Sequence, residues 1–123
     1  MRRAYLVLSL GIIALGAVHI AATPRYFTRL TGAAVWFASG GLAMALTGAL
    51  NLLRRAYGEA APGVQRVCVG ANVAMTCFAI LAAYASGASV AEFALVLGLV
   101  GGATLCSVIP AAQRPIGIAS RAA

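Results

Sequence analysis

Long apolar stretches separated by short polar clusters dominate the chain. Four such stretches run over residues 4–22, 33–53, 67–86 and 90–109. Each has about the 20 residues that an α-helix needs to cross a hydrocarbon core roughly 30 Å thick. Lipid offers the backbone no hydrogen-bond partners, and transmembrane strands are about half as long. The pattern therefore predicts four transmembrane helices.

The first stretch has a second interpretation as a signal peptide. Arg2 and Arg3 followed by an apolar run resemble the charged and apolar regions of such a peptide. The cleavage site would follow Ile20-Ala21-Ala22, where Ile20 stands in the place of the usual small residue. We therefore expect the segment to be retained as the first helix.

The breaks between the stretches are short and carry turn signals. Pro24 is expected to end the first helix, because the residue before a proline avoids helical geometry. Gly58 and the 61–63 stretch separate the second and third helices, and Gly87 lies in the last break. Connections this short make neighbouring helices antiparallel. We therefore expect an all-α membrane protein, a compact antiparallel four-helix bundle forming one domain over 1–123, with a short cytoplasmic tail at 110–123.

The charged residues exclude a water-soluble fold and suggest an orientation. Only 9% of the residues are charged, against about 25% in soluble domains. All nine basic residues are Arg. With the N-terminus inside, the cytoplasmic side holds these seven: Arg2, Arg3, Arg54, Arg55, Arg66, Arg114 and Arg121. The outer side holds Arg25 and Arg29, so the positive-inside rule predicts that both termini are cytoplasmic.

The same charges suggest the partners. The net charge is +7, and the Arg residues flank apolar segments, so the expected partner is the lipid bilayer with its anionic headgroups. A basic chain also suggests nucleic acid as a binding partner, but no alternation of basic and aromatic residues supports this interpretation. We expect a multi-pass protein of the cell (inner) membrane and no nucleic-acid binding.

Small residues lie on one face of each predicted helix. In lipid, helices associate through close backbone approach and interhelical hydrogen bonds, since leucine gains little by leaving the bilayer. We expect six glycines to pack against neighbouring helices: Gly16, Gly40, Gly41, Gly48, Gly98 and Gly102. Gly98 and Gly102 form a GxxxG motif, which alternatively serves as a homo-oligomer contact.

Two asparagines on inward faces are the most informative polar residues. Asn51 and Asn72 lie in the inner half of neighbouring helices, and each amide offers the other a donor and an acceptor. The favoured interpretation is an interhelical clamp. The alternative is a site for a polar substrate or ion, completed by Thr47, Cys68 and Thr76.

A second candidate cluster lies towards the outer side. It would combine His19, the only histidine, with Glu92, Arg25 and Arg29. A lone His is more often a neutral, hydrogen-bonded group than a ligand. Ser89 and Glu92 also have the spacing of a capping box at the start of the fourth helix. Capping is therefore the favoured role of Glu92.

The chain offers little for catalysis or metal binding. Asp is absent, the only acids are Glu59 and Glu92, and no triad, HExxH motif or phosphate loop is present. The three cysteines form no CxxC motif and are expected to pack as small residues. We predict no enzyme, no cofactor and no metal.

Three functions remain as hypotheses. The first is a structural or accessory subunit that packs in a homo-oligomer or a larger membrane complex. The second is a small transporter or channel. In size and helix count the chain is similar to the small multidrug resistance transporters, which carry an embedded Glu in the first helix, but residues 11–18 contain no acid. The third is ligand or cofactor binding near His19.

Overall fold

Four helices make up the described part of the chain. A computed structural model describes residues 2–58 and 60–109. The helices are α1 (Arg2–Tyr26), α2 (Gly32–Tyr57), α3 (Pro62–Ser86) and α4 (Val90–Val108). Each is long and apolar enough to cross a membrane, so the prediction of four apolar helices is confirmed. The predicted tail at 110–123 lies outside the described residues.

The first helix is longer than the sequence predicts. It continues through Pro24 to Tyr26, so the expected stop at the proline is wrong. A proline inside a helix removes one backbone donor and presses on the preceding turn. Because Pro24 lies in the last turn, only a little helix follows it, and the amide of Phe27 still donates to the carbonyl of Thr23 at 3.0 Å.

Two helix caps define the connection between α3 and α4. Gly87 ends α3 with φ +63°, the left-handed conformation that favours glycine. Two residues later, the Ser89 side chain accepts a hydrogen bond from the Glu92 amide, and the Glu92 carboxylate accepts one from the Ser89 amide. The expected capping box is therefore present, and it fixes where α4 begins.

The helices pack in a ring, α1 against α2, α2 against α3, α3 against α4 and α4 against α1. Residue pairings show that neighbours are antiparallel: Gly16 faces Gly41, and Gly48 faces Ser9. The centre of the ring is an apolar cluster. Its buried members are Tyr5, Ile12, Met44, Met75, Val100 and Ala103.

Glycines bring α1 and α2 into backbone contact. A Cβ atom added at Gly16 would lie 2.5 Å from the carbonyl oxygen of Gly41 and 2.8 Å from the Ala45 amide nitrogen. One added at Gly41 would lie 2.7 Å from the Gly16 oxygen, and one at Gly48 would lie 2.7 Å from the Ser9 oxygen. Only glycine allows this approach, which is the way helices associate in lipid.

The other three glycines expected at helix contacts behave differently. Gly40 is buried, but an added Cβ would meet only a Phe78 ring carbon at 4.0 Å. Gly102 is half-buried against the Leu8 methyl groups at 3.4 Å. Gly98 departs from the expectation, since it is exposed and an added Cβ would meet nothing within 4 Å. Within one copy, α4 instead buries Val100, Ala103 and Ser107.

Candidate functional site

Asn51 of α2 and Asn72 of α3 meet in the interior of the bundle. The Asn51 Nδ2 donates to Asn72 Oδ1 at 3.0 Å, and the Asn72 Nδ2 donates to Asn51 Oδ1 at 2.7 Å. Both side chains have 0% exposure. Each amide therefore supplies the partner that the other needs in an apolar interior. The paired amides connect the second and third helices.

Two further side chains join this pair, which we call the asparagine network (Tyr5, Asn51, Cys68 and Asn72). The Tyr5 hydroxyl of α1 donates to Asn51 Oδ1 at 2.8 Å. The Cys68 thiol donates to the same oxygen at 2.8 Å. Asn51 Oδ1 is thus the acceptor for three donors from two other helices, and the network connects α1, α2 and α3 at one level of the bundle.

The threonines of the candidate polar site lie outside this network. The Thr76 hydroxyl donates to the backbone carbonyl of Asn72 at 2.8 Å and lies 2.9 Å from the Thr104 hydroxyl of α4. The Thr104 hydroxyl also approaches the Asn72 carbonyl at 3.2 Å. Thr47 bonds only its own helix, donating to the Ala43 carbonyl at 2.8 Å. The structure therefore brings together Asn51, Asn72 and Cys68, with Thr76 adjacent and Thr47 apart.

The geometry of the asparagine network is that of a closed contact. All four of its side chains are buried, with 2% exposure or less, and their polar atoms are bonded to each other. A substrate would have to break these bonds before it could reach an amide. In the described residues, no group of three His, Cys, Asp or Glu side chains comes together as a metal site would require.

The outer candidate cluster does not form an ionic group. The His19 ring stacks on Phe37 with centroids 3.9 Å apart and an interplanar angle of 17°. The Glu92 carboxylate instead accepts hydrogen bonds from the Ser89 amide and hydroxyl, each at 2.8 Å. Arg25 and Arg29 are exposed. The favoured capping role of Glu92 is the one that the structure shows.

An arginine at the end of α2 is buried, which the sequence analysis did not anticipate. Arg54 is 3% exposed, and its Nε, Nη1 and Nη2 have no hydrogen-bond partner among the described residues. Arg54 follows Asn51 by three residues, so it lies one turn further along the same helix face.

Tyr5, Thr104 and Arg54 are the contact residues that the sequence analysis missed. A signal was present for two of them. Tyr5 precedes Ser9 by four residues and so extends the buried face of α1 by one turn, and Arg54 extends the buried face of α2 in the same way. Their residue types instead predicted positions at the membrane interface, where tyrosine and arginine are common. Thr104 gave no such signal.

A shallow apolar groove of about 700 Å³ runs between α3 and α4 on the outside of the bundle. Small and apolar side chains of α4 form most of it, with Thr76 of α3 at one side. Its lining residues are Thr76, Phe93, Ala94, Leu97, Gly98, Gly101, Gly102, Thr104 and Leu105. We call this surface the α4 groove.

No protein-family model matches the chain, and no curated protein or solved structure shows significant similarity to it.

Proposed function

We propose that this chain is a non-enzymatic subunit of the cell (inner) membrane, which acts by assembling with further copies of itself or with a larger complex. Both termini lie in the cytoplasm, as the seven-to-two distribution of Arg residues supports. The observation that carries the proposal is the open α4 groove around Gly98. There α4 presents a face of small residues that no other described part of the chain covers.

The use of polar groups supports an assembly role over transport. A transporter or channel that works through Asn51 and Asn72 needs water to reach them, and both have 0% exposure. The amides bond each other and so act as an interhelical clamp. Ligand binding at His19 competes with the stacked Phe37 ring. The two asparagines therefore serve the fold, and the outer surface is left for contacts.

The α4 groove suits a second copy of the same helix. A two-fold axis places a face against itself, so a self-complementary surface is required. Here Gly98 provides a depression, and the larger side chains of Leu97 and Leu105 line the same groove. In lipid, such small-residue depressions allow two helices to approach closely, which is the main contribution to their association. We therefore propose that α4 pairs with α4 of another copy.

A comparison of two glycines tests this proposal. Gly98 and Gly70 are both exposed, and an added Cβ meets nothing within 4 Å at either position. Gly98 lies in the α4 groove, whereas Gly70 lies on α3 outside it. We expect Gly98→Leu to abolish the oligomer and Gly70→Leu to preserve it, with both variants keeping the fold of the single chain.

The measurement is the number of copies per particle, by native mass spectrometry of the full chain in lipid nanodiscs. The wild-type chain is expected to give a dimer or higher oligomer, and Gly98→Leu a monomer. A wild-type chain that is monomeric at every concentration and co-purifies with no stoichiometric partner would overturn the proposal. So would a Gly98→Leu variant whose copy number equals that of the wild type.

A further inference from the structure

The buried arginine on α2 points to a binding site that the proposed assembly does not use. An unpaired charge in an apolar interior is costly, and buried guanidinium groups are usually paired with an anion. Arg54 is 97% buried, and the three nitrogens of its guanidinium group have no partner among the described residues. The described residues therefore hold this cation in place without a counter-charge.

Other arginines at the same end add to the positive charge. Arg2 begins α1 three residues before Tyr5, and Arg54 follows Asn51 by three residues. Because Tyr5 bonds Asn51 across the antiparallel pair, Arg2 and Arg54 lie at the same level of the bundle. Arg2 and Arg55 each also have a buried Nε without a partner.

No carboxylate among the described residues lies near this arginine end. Glu92 is the only acid in that part of the chain, and it caps α4 at the opposite end of the bundle. The other acid, Glu59, lies outside the described residues, and the experiment therefore includes a variant in which it is replaced. The neutral groups of the asparagine network are already bonded to one another.

We infer that the arginine end binds a phosphate group, with Arg54 as its central contact and Arg2 and Arg55 beside it. The planar guanidinium group of arginine donates two parallel hydrogen bonds to a phosphate, whereas a lysine ammonium acts as a point charge. The phosphate comes from an anionic lipid headgroup or from free phosphate in solution. Arg54 and Arg55 lie in the last turn of α2, where a membrane-spanning helix reaches the headgroup level.

The long arginine side chains give the phosphate a route in. Arg2 and Arg55 are half-buried at helix ends, where long side chains extend their charged heads towards water. Binding would place a negative charge among three cations that repel each other and so reduce that repulsion. The arginine end does not include the α4 groove. Loss of phosphate binding and loss of the oligomer can therefore be measured separately.

The test uses the full chain, stripped of co-purified lipid in an uncharged detergent, with the melting temperature as readout. Three probes are compared: phosphatidylglycerol, phosphatidylcholine of the same chain length, and inorganic phosphate against chloride at equal ionic strength. We expect phosphatidylglycerol or inorganic phosphate to raise the melting temperature of the wild type. A response to phosphatidylglycerol alone identifies a lipid headgroup, and a response to inorganic phosphate identifies the free anion. A wild type that responds to neither overturns the proposal.

Arg54→Gln is the decisive variant, and Arg66→Gln is its matched control. Arg66 is an exposed arginine near the start of α3, at the same end of the bundle. We expect Arg54→Gln to weaken the apparent affinity on the order of 10- to 100-fold, the loss of a charge-assisted hydrogen bond, and Arg66→Gln to leave it unchanged. Equal losses in the two variants would indicate a general surface-charge effect and overturn the proposal.

One further measurement on Arg54→Gln and one further variant keep the test independent of simple misfolding. Without added anion, Arg54→Gln is expected to melt no lower than the wild type, because it removes an unpaired buried charge. A clearly lower value would contradict the unpaired state. Glu59→Gln is expected to bind as the wild type does. If Glu59→Gln instead gains a phosphate response that the wild type lacks, the counter-charge is internal and the proposal is wrong.

Discussion

Replacing Gly16 with alanine tests the backbone contact between α1 and α2. The added Cβ would lie 2.5 Å from the Gly41 carbonyl oxygen and 2.8 Å from the Ala45 amide nitrogen, whereas ordinary van der Waals contact begins at 3.4 Å. Both of the atoms that it meets belong to the backbone of α2, so no flexible side chain can move aside. The two helices must therefore separate by about 0.9 Å at this level to remove the overlap with the oxygen.

The cost of that separation follows from packing energetics. Inserting a methyl group into a packed interior typically costs about 1–3 kcal/mol. The bundle also loses contacts along the seam, including that of Gly48 against the Ser9 carbonyl. Alanine favours a helix over glycine by up to about 1 kcal/mol, which offsets part of the loss. We therefore expect Gly16→Ala to lower the free energy of unfolding by about 1–2 kcal/mol.

Gly70→Ala is the matched control for this measurement. Gly70 also lies within a helix, but an added Cβ meets nothing within 4 Å, so only the propensity gain applies. The assay is equilibrium unfolding of both variants in mixed micelles, followed by circular dichroism. The reasoning predicts a gap of about 2 kcal/mol between the two variants. Equal unfolding free energies would refute the close approach of α1 and α2.

Two further predictions concern hydrogen bonds. A double-mutant cycle with Asn51→Leu and Asn72→Leu should give a coupling free energy of about 1 kcal/mol in unfolding experiments, because each amide is the other's partner; additive effects would contradict the clamp. Ser89→Ala should lower the free energy of unfolding by about 1 kcal/mol, since it removes the acceptor for the Glu92 amide. The same substitution at the exposed Ser86, whose hydroxyl bonds only its own helix at 3.4 Å, should change it little.

The sequence was sufficient to place Gly16, Asn51 and Asn72 on buried faces of the first three helices. Ser9, Ile12 and Gly16 of α1 follow a regular spacing, and all three are buried. Cys68 and Asn72 of α3 are buried on the face where small and polar residues recur. Such spacing works here because small and polar residues are segregated from leucine and valine, as lipid favours.

The fourth helix shows where this rule fails. It has two faces of small residues, one containing Gly98 and the other containing Ala103 and Ser107. Spacing alone cannot choose between two such faces, and the structure buries the second. Which face meets the bundle depends on contacts such as Leu99 of α4 against Gly11 of α1. These contacts become defined only once all four helices are in place.

The buried arginine was missed for a different reason. The cost of placing a charge in an apolar interior predicts that arginine stays at the membrane surface. Arg54 nevertheless extends the buried face of α2 past Asn51. A residue that breaks a physical rule in this way marks a place where function competes with stability.

The topology of the chain in its membrane shows directly whether it crosses a lipid bilayer four times. Fluorescent-protein and alkaline-phosphatase reporters would be fused to both ends and to the connections at 27–31, 58–61 and 87–89, and assayed in intact cells. A fourfold crossing predicts fluorescence from both ends and from the 58–61 connection, and phosphatase activity from the other two connections. Ends that report opposite sides, or a chain that is recovered without detergent, would contradict it.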